Sequence, residues 1–326
     1  MRLGIFLLTE NYGNSAHATI ANDIELGVYA EELGFDEVWF AEHHFNAFSV
    51  IPNPTLMMAA LAARTTRIRI GSAAFLAPFY QSIRLAEEIA TLDNLSFGRI
   101  DAGFAKGGFA YDIDLFEKSP QDLRQEMFES VEKIGDTLYS NPILEPKPLQ
   151  KRVPFYIATF STNETIEYAA RHGYGLMFSQ GATLQECIDA QELYRQIAGA
   201  YPEVVLMRVF YMDEDYNSAY QNALPATDHF IKSMRAVKSK EKLPRFHQEN
   251  YKALRDQRFK FFDGKNFLDN AILGNSEECQ EQIEKINREI KNLHLVLKVA
   301  SSDAMQTRKM LKRFSQEIQP NLKEIS

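Results

Sequence analysis

The sequence predicts a parallel (β/α)8 barrel. Eight short apolar runs of strand character alternate with helical patterns from end to end. No glycine-rich dinucleotide turn follows the first run, which disfavours the competing architecture, an open doubly wound sheet. The one long interval, from Asp213 to about Lys291, is charged and helical, with Gly264 and Gly274 as breaks, and reads as an insertion between strands seven and eight. Insertions at barrel loops tend to cover the active-site mouth. Residues 1–326 are therefore expected to form one barrel domain with an insertion at about 213–291.

Arg2–Leu8 is the first expected strand. Ile20, Ile24, Leu26, Val28 and Leu33 give a helical face that Gly34 ends. Glu37–Ala41 is the second strand, and Leu56, Ala59, Ala60 and Ala63 come next on a helix. Arg67–Ser72 is the third, and Ser82 is placed to cap the next helix, whose inner side carries Ile83, Ala86, Ile89, Ala90 and Leu92. Arg99–Phe104 is the fourth. Ser119, Pro120 and Asp122 supply a cap, a first-turn proline and an early acid for a helix burying Leu123, Met127, Val131, Ile134 and Leu138. Val153–Thr159, Leu176–Ser179, Val204–Met212 and Leu293–Ala300 complete the eight strands.

Composition narrows the function classes. The chain has 326 residues, 45% hydrophobic and 25% charged, which supplies a large core. A net charge of -8, without a Lys/Arg-rich stripe, argues against a nucleic-acid partner. No apolar run approaches the ~18 residues of a membrane span. The opening Met1–Leu8 is too short for a secretory apolar region. Two cysteines, Cys187 and Cys279, lie without metal-ligand spacing, so a reduced cytoplasmic location and no metal are expected.

Four places carry chemistry-bearing residues. Ala41-Glu42-His43-His44-Phe45 sets two histidines at the end of a buried strand, where barrel chemistry sits. Imidazole ordinarily titrates near ~6.5, so either ring is a candidate proton carrier. Neighbours on a strand face opposite ways, so one is expected at the mouth and the other packed aside. Ile70-Gly71-Ser72-Ala73-Ala74-Phe75 keeps small residues at a strand end, which suits either a flat ligand against the backbone or close helix packing. Lys106-Gly107-Gly108 after strand four suits either an anion or a solvated turn. Ser161-Thr162-Asn163-Glu164 reads as a capping box at a helix N-terminus that is also an anion site; the Glu164 carboxylate opposes that second use unless it turns away to cap. No Gly-x-Ser-x-Gly elbow supports a serine hydrolase.

Three runs together resemble a known family. Glu37–Phe45, Gln81–Arg99 and Leu273–Cys279 are, in this order, similar to the bacterial luciferase-like flavin monooxygenases. The resemblance implies a (β/α)8 barrel with reduced flavin mononucleotide (FMNH2) at the C-terminal mouth. It implies reaction with O2 to a flavin C4a-peroxide, which oxidises an aldehyde or another small organic substrate. Residue by residue, His43 matches the family's catalytic histidine, with His44 in support. Ala73-Ala74 matches a pair joined by a non-proline cis peptide under the flavin ring. Lys106, with Gly107 beside it, matches a phosphate-binding arginine, Ser161 beside Thr162 a phosphate-binding serine, and Ser179 a serine near the ring. The resemblance also implies a homodimer through helices early in the barrel, and a separate flavin reductase.

Departures from the pattern fall at the cofactor end. Lys106 loses an arginine's two-pronged grip. Phe160 stands where the family has a glutamate, Glu164 where it has a threonine, and Gln180 where it has a tryptophan. The stretch from Phe259 to Gly274 is shorter than the family's lid, which shields a reactive intermediate less, so light emission is not expected. Two alternatives share the barrel: a deazaflavin-dependent oxidoreductase, and a non-catalytic flavin-binding or partner subunit.

Overall fold

The computed structural model of the chain describes residues 1–45, 48–236 and 264–323. Nine parallel strands form one sheet: β1 (Arg2–Leu7), β2 (Glu37–Phe40), β3 (Arg69–Leu76), β4 (Ile100–Ala105), β5 (Phe155–Ala158), β6 (Gly175–Phe178), β7 (Val204–Met212), β8 (Ile272–Gly274) and β9 (Leu293–Val299). Their order is β6-β5-β4-β3-β2-β1-β9-β7-β8, and pairing of β6 with β7 closes an eight-stranded barrel. The expected (β/α)8 barrel is the fold.

Every expected strand run overlaps a strand; Val204–Met212 agrees at both ends and the others shift at one or both. The largest shift is in β3, which runs on through the small residues to Phe75 and Leu76, because both of those apolar side chains are buried. The three-residue β8 is additional to the eight expected strands. It pairs with the end of β7 outside the ring, at Gly274, which reads only as a break in the sequence.

Helices α1 (Ala16–Glu32), α2 (Pro54–Ala62), α3 (Ser82–Leu95), α4 (Ala110–Leu115), α5 (Leu123–Tyr139), α6 (Asn163–His172), α7 (Leu184–Ala198) and α8 (Tyr216–Ala236) lie between or after successive strands. The interval after β7 holds α8, a short helix Gly264–Asp269, β8 and the helix Ser276–Glu289; residues 237–263, including Phe259 of the expected lid, lie outside the described residues. Two helix starts differ from expectation. Ser82 is the first residue of α3, with Gln81 at the cap. The Ser119 to Asp122 stretch forms a turn closed by Asp122 N–H to the Ser119 carbonyl, so α5 begins at Leu123. Among the described residues, no helix is long and apolar enough to cross a membrane.

Parallel strands bring their first residues to one end of the barrel, and here that end is packed with charge. Glu37, wholly buried, lies 2.9 Å from His294 Nδ1 and accepts from Arg2 (3.3 Å) and from Trp39 Nε1 (2.9 Å). Arg69 grips Asp101 through two nitrogens at 2.7 and 2.9 Å, and Tyr156 donates to Glu203 at 2.8 Å. Room for the Trp39 ring comes from Gly71, where a Cβ would stand 2.2 Å from the indole. The barrel is thus closed at this end and open at the other.

Candidate functional site

At the strand C-termini lies a cavity of about 210 Å3, open to solvent. His43, Ala73, Ala74, Lys106, Gly107, Phe160, Thr162 and Ser179 all line it. His44 and Ser161 do not.

The two histidines lie beyond the end of β2, in irregular backbone, and diverge. His43 turns to the cavity, its ring 5.6 Å from Phe48 and 5.8 Å from Phe109. His44 turns the other way, with Nε2 2.8 Å from Glu42 Oε1 and its ring against Phe116. Glu42 is buried, yet it borders the cavity. Its second oxygen accepts from Tyr80 Oη (2.8 Å) and the Leu76 N–H (3.2 Å). Burial pushes the Glu42 carboxyl up, against the opposing pull of His44, Tyr80 and Leu76.

The β3 side supplies a flat floor. The Ala73–Ala74 peptide is cis, the geometry that the resemblance implied for this pair. The β3–β4 register shifts between Ser72 and Phe75, and Ser72 Oγ spans the irregularity by bonding both the carbonyl and the N–H of Gly103 at 3.0 Å. Gly103 permits this approach, since a Cβ there would stand 2.3 Å from the Ser72 carbonyl.

The ends of β4 and β5 bring basic side chains and a helix N-terminus to one side of the cavity. Lys106 comes directly after β4, and Gly107, at φ +73°, faces the Phe79 ring where a Cβ would stand 2.9 Å away. Thr162 and Thr165 bring the N-terminus of α6 to the wall. Arg124, in the first turn of α5, also lines the cavity and donates to Glu164 at 2.6 Å.

That contact corrects the capping-box reading. Ser161 has φ +60°, outside the extended conformation an N-cap needs, and the cap falls to Thr162 with no side-chain bond. Glu164 pairs instead with a cation forty residues away in the chain. Sequence reading missed Arg124, although a basic residue in a helix's first turn is a signal, because the macrodipole disfavours it there. It also passed over Glu42 as a group bordering the site.

Ser179 and Gln180 come directly after β6. Ser179 Oγ and Gln180 Oε1 are buried without a hydrogen-bond partner, and both residues line the cavity. Buried polar atoms are normally satisfied, so this wall suits a ligand with polar edges. Among the described residues no group of His, Cys, Asp or Glu is arranged to hold a metal, and both cysteines are buried thiols.

Fold and cavity define a (β/α)8-barrel protein whose mouth suits a flat ligand with an anionic end. The chain belongs to the luciferase-like monooxygenases, oxygen-incorporating oxidoreductases, whose family profile matches residues 1–290. It is 29% identical over 216 residues to the alkanal monooxygenase alpha chain of Photorhabdus luminescens, a match covering 62% of this chain and 59% of that one. Among solved structures it is similar to the monooxygenase RslO1 of Streptomyces bottropensis, with TM-score 0.84, 24% identity and coverage of 99% and 100% of the two chains. The oxygenating constituent of 3,6-diketocamphane monooxygenase of Pseudomonas putida, solved with FMN, gives TM-score 0.75 at 18% identity and 98% coverage of each chain. An F420-dependent secondary alcohol dehydrogenase gives 0.73 at 20% identity, again with 98% coverage of each. These three likenesses establish the fold.

Proposed function

We propose that the protein is a flavin-dependent monooxygenase that uses reduced FMN and O2 to oxygenate a small organic substrate in the mouth cavity. The observation that carries this reading is one cavity bordered by Lys106 and Arg124 at the α6 N-terminus, by the Ala73–Ala74 floor and by His43. Bound reduced FMN would supply the electrons that activate O2.

The chain's own groups have distinct tasks. Lys106 and Arg124 offset the phosphate charge, and the N–H groups at the start of α6 offer hydrogen bonds. Arg124 also offsets the nearby Glu164 carboxylate, which removes the conflict seen in the sequence. Gly107 leaves the phosphate loop close to the barrel. Ala73 and Ala74 carry no side chain long enough to lift a ring off the backbone, and Ser179 and Gln180 meet polar ring edges. His43 holds or moves a proton at its ring nitrogen, while the apolar wall around it excludes water.

Residues 1–326 act in this reading as one barrel domain with the insertion at about 213–291. A separate reductase supplies the flavin, and a homodimer forms through the early helices, where Leu56 is 69% exposed beside Ala60 and Ala63. The deazaflavin and partner-subunit readings use the same barrel, and titration separates them.

The test has two arms. FMN and a deazaflavin are titrated in turn, then reduced FMN and O2 are added with turnover followed as oxygen uptake. Tighter FMN binding and slowed autoxidation of the reduced flavin are expected. His43→Ala should lower turnover by about 10²–10⁴-fold, the usual worth of a positioned proton carrier, with FMN affinity little changed. Tighter deazaflavin binding, or turnover that does not depend on His43, would overturn the reading.

A further inference from the structure

We infer that the substrate is an uncharged, ring-bearing apolar molecule, and that Phe230 sets the limit of its length. This deepens the proposed function, because it assigns the β4–β5 side of the cavity to the cofactor's phosphate.

In the ring of eight strands, β4 and β5 stand across from β9 and β1. The wall opposite the phosphate side is therefore built from β1, β7 and the helices C-terminal to β7. It presents Phe6, Leu8, Met207, Phe230, Met234 and Phe267. Phenylalanine faces and adaptable methionine side chains suit flat hydrocarbon surfaces.

Among the described residues, this wall presents no charged side chain. Among the described lining residues the Lys, Arg, Asp and Glu side chains are Glu42, Lys106 and Arg124. Both cations belong to the phosphate side, and Glu42 is bonded to His44, Tyr80 and Leu76. A carboxylate seated against the apolar wall would lose its water without gaining a counter-charge from any described lining residue.

A cation does lie behind the wall. Lys298, which lines a different cavity, has its Nζ 5.3 Å from the centre of the Phe230 ring and 2.7 Å from Glu10 Oε2. Both side chains are less than one-tenth exposed, so the pair is neutral as a unit. Tyr12 also donates to Glu10 at 2.8 Å. Phe230 is further held by Phe48 (6.0 Å between centroids) and Phe267 (5.4 Å). The ring is thus packed against Lys298, Phe48 and Phe267, which holds it in place as a stop. Beyond it lies a polar cavity lined by Glu10, Asp23 and Lys298, which shares Phe6 and Leu8 with the reaction cavity. Phe230 lines the apolar cavity, and the cation against its ring lines the polar one.

The experiment uses the full chain, with and without saturating FMN. Dissociation constants are measured by fluorescence for benzyl alcohol, 2-naphthalenemethanol and 2-anthracenemethanol, and for 2-naphthoate as the charged match of the second. In the unmodified chain 2-naphthalenemethanol should bind at least tenfold tighter than 2-naphthoate, with FMN present, and 2-anthracenemethanol should bind more weakly than the two-ring alcohol. Phe230→Ala opens a path to Lys298, so it should shrink the alcohol-to-carboxylate ratio below threefold and restore binding of the three-ring alcohol. Equal binding of alcohol and carboxylate by the unmodified chain overturns the inference. So does an unchanged ratio in a folded Phe230→Ala, or ligand binding that saturating FMN abolishes. Phe230→Leu replaces the alanine variant if that one does not fold, and the unmodified comparison decides alone if neither does. FMN that fails to bind while the ring series binds would sink the flavin reading and leave this one standing.

Discussion

Glu37 and Glu42 stand at the two ends of β2, both fully buried and both holding three hydrogen-bonding or charged neighbours, yet their acidities move in opposite directions. Burial alone would push Glu37 up, but His294, Trp39 and Arg2 together hold it below the ordinary carboxylate range. Burial pushes Glu42 up, and His44, Tyr80 and the Leu76 N–H do not reverse it. The difference is the company of charge. The closed end gives its carboxylate an arginine and a histidine; the open end gives its carboxylate a histidine and two neutral donors. At the closed end charged company favours the carboxylate form of Glu37, although burial pushes the neighbouring Asp101 up. The open end tolerates an unfavourable buried acid beside the cavity, as functional sites commonly do.

The same substitution at both positions tests the contrast. Glu37→Gln should be the most harmful, with a loss of about 3 kcal/mol at pH 7, because breaking a buried ion pair leaves its partners uncompensated. A carboxylate held below its unfolded value contributes stability that is present above about pH 4.3 and lost as pH falls through the lowered value. Denaturant titrations should therefore show the gap closing below about pH 4. A gap that is flat with pH would break the assignment.

Arg124→Ala should come next, raising the FMN dissociation constant by about tenfold or more, the worth of one charge-assisted bond, with melting temperature nearly unchanged. Unaltered FMN affinity would remove Arg124 from the phosphate side and leave it only as the partner of Glu164.

Glu42→Gln should have the smallest effect and the opposite slope. A carboxyl raised above its unfolded value weighs on stability as pH climbs from about 4 to the raised value. The glutamine variant should thus gain on the unmodified chain as pH climbs through that window. Parallel slopes for the two variants would show that the ends of the barrel do not differ as described.

The barrel was legible because its signal is local. Apolar runs of strand length and helical stripes such as Leu123, Met127, Val131, Ile134 and Leu138 mark their own elements, and all five of those side chains are buried on α5. The histidine pair was legible in outcome, one ring at the mouth and one aside, although both lie beyond the strand whose alternation suggested it. The illegible features depend on partners distant in sequence. Glu164 scores as a capping residue by spacing, but Arg124 takes its carboxylate, and the left-handed backbone of Ser161 removes the cap it would have served. Phe230 gives no sign in the sequence of being a stop, since Lys298, which meets its ring, and Glu10, which pairs with Lys298, come from opposite ends of the chain.

The glycine at position 71 has an optical consequence. By yielding its side-chain space to Trp39, it seats the only indole of the chain in the closed end, wholly buried, 5.5 Å from the Tyr156 ring and bonded to Glu37. Tryptophan emission from this protein therefore comes from a single, dry, hydrogen-bonded site. Its colour reports whether the floor of the barrel is intact, whatever happens at the rim.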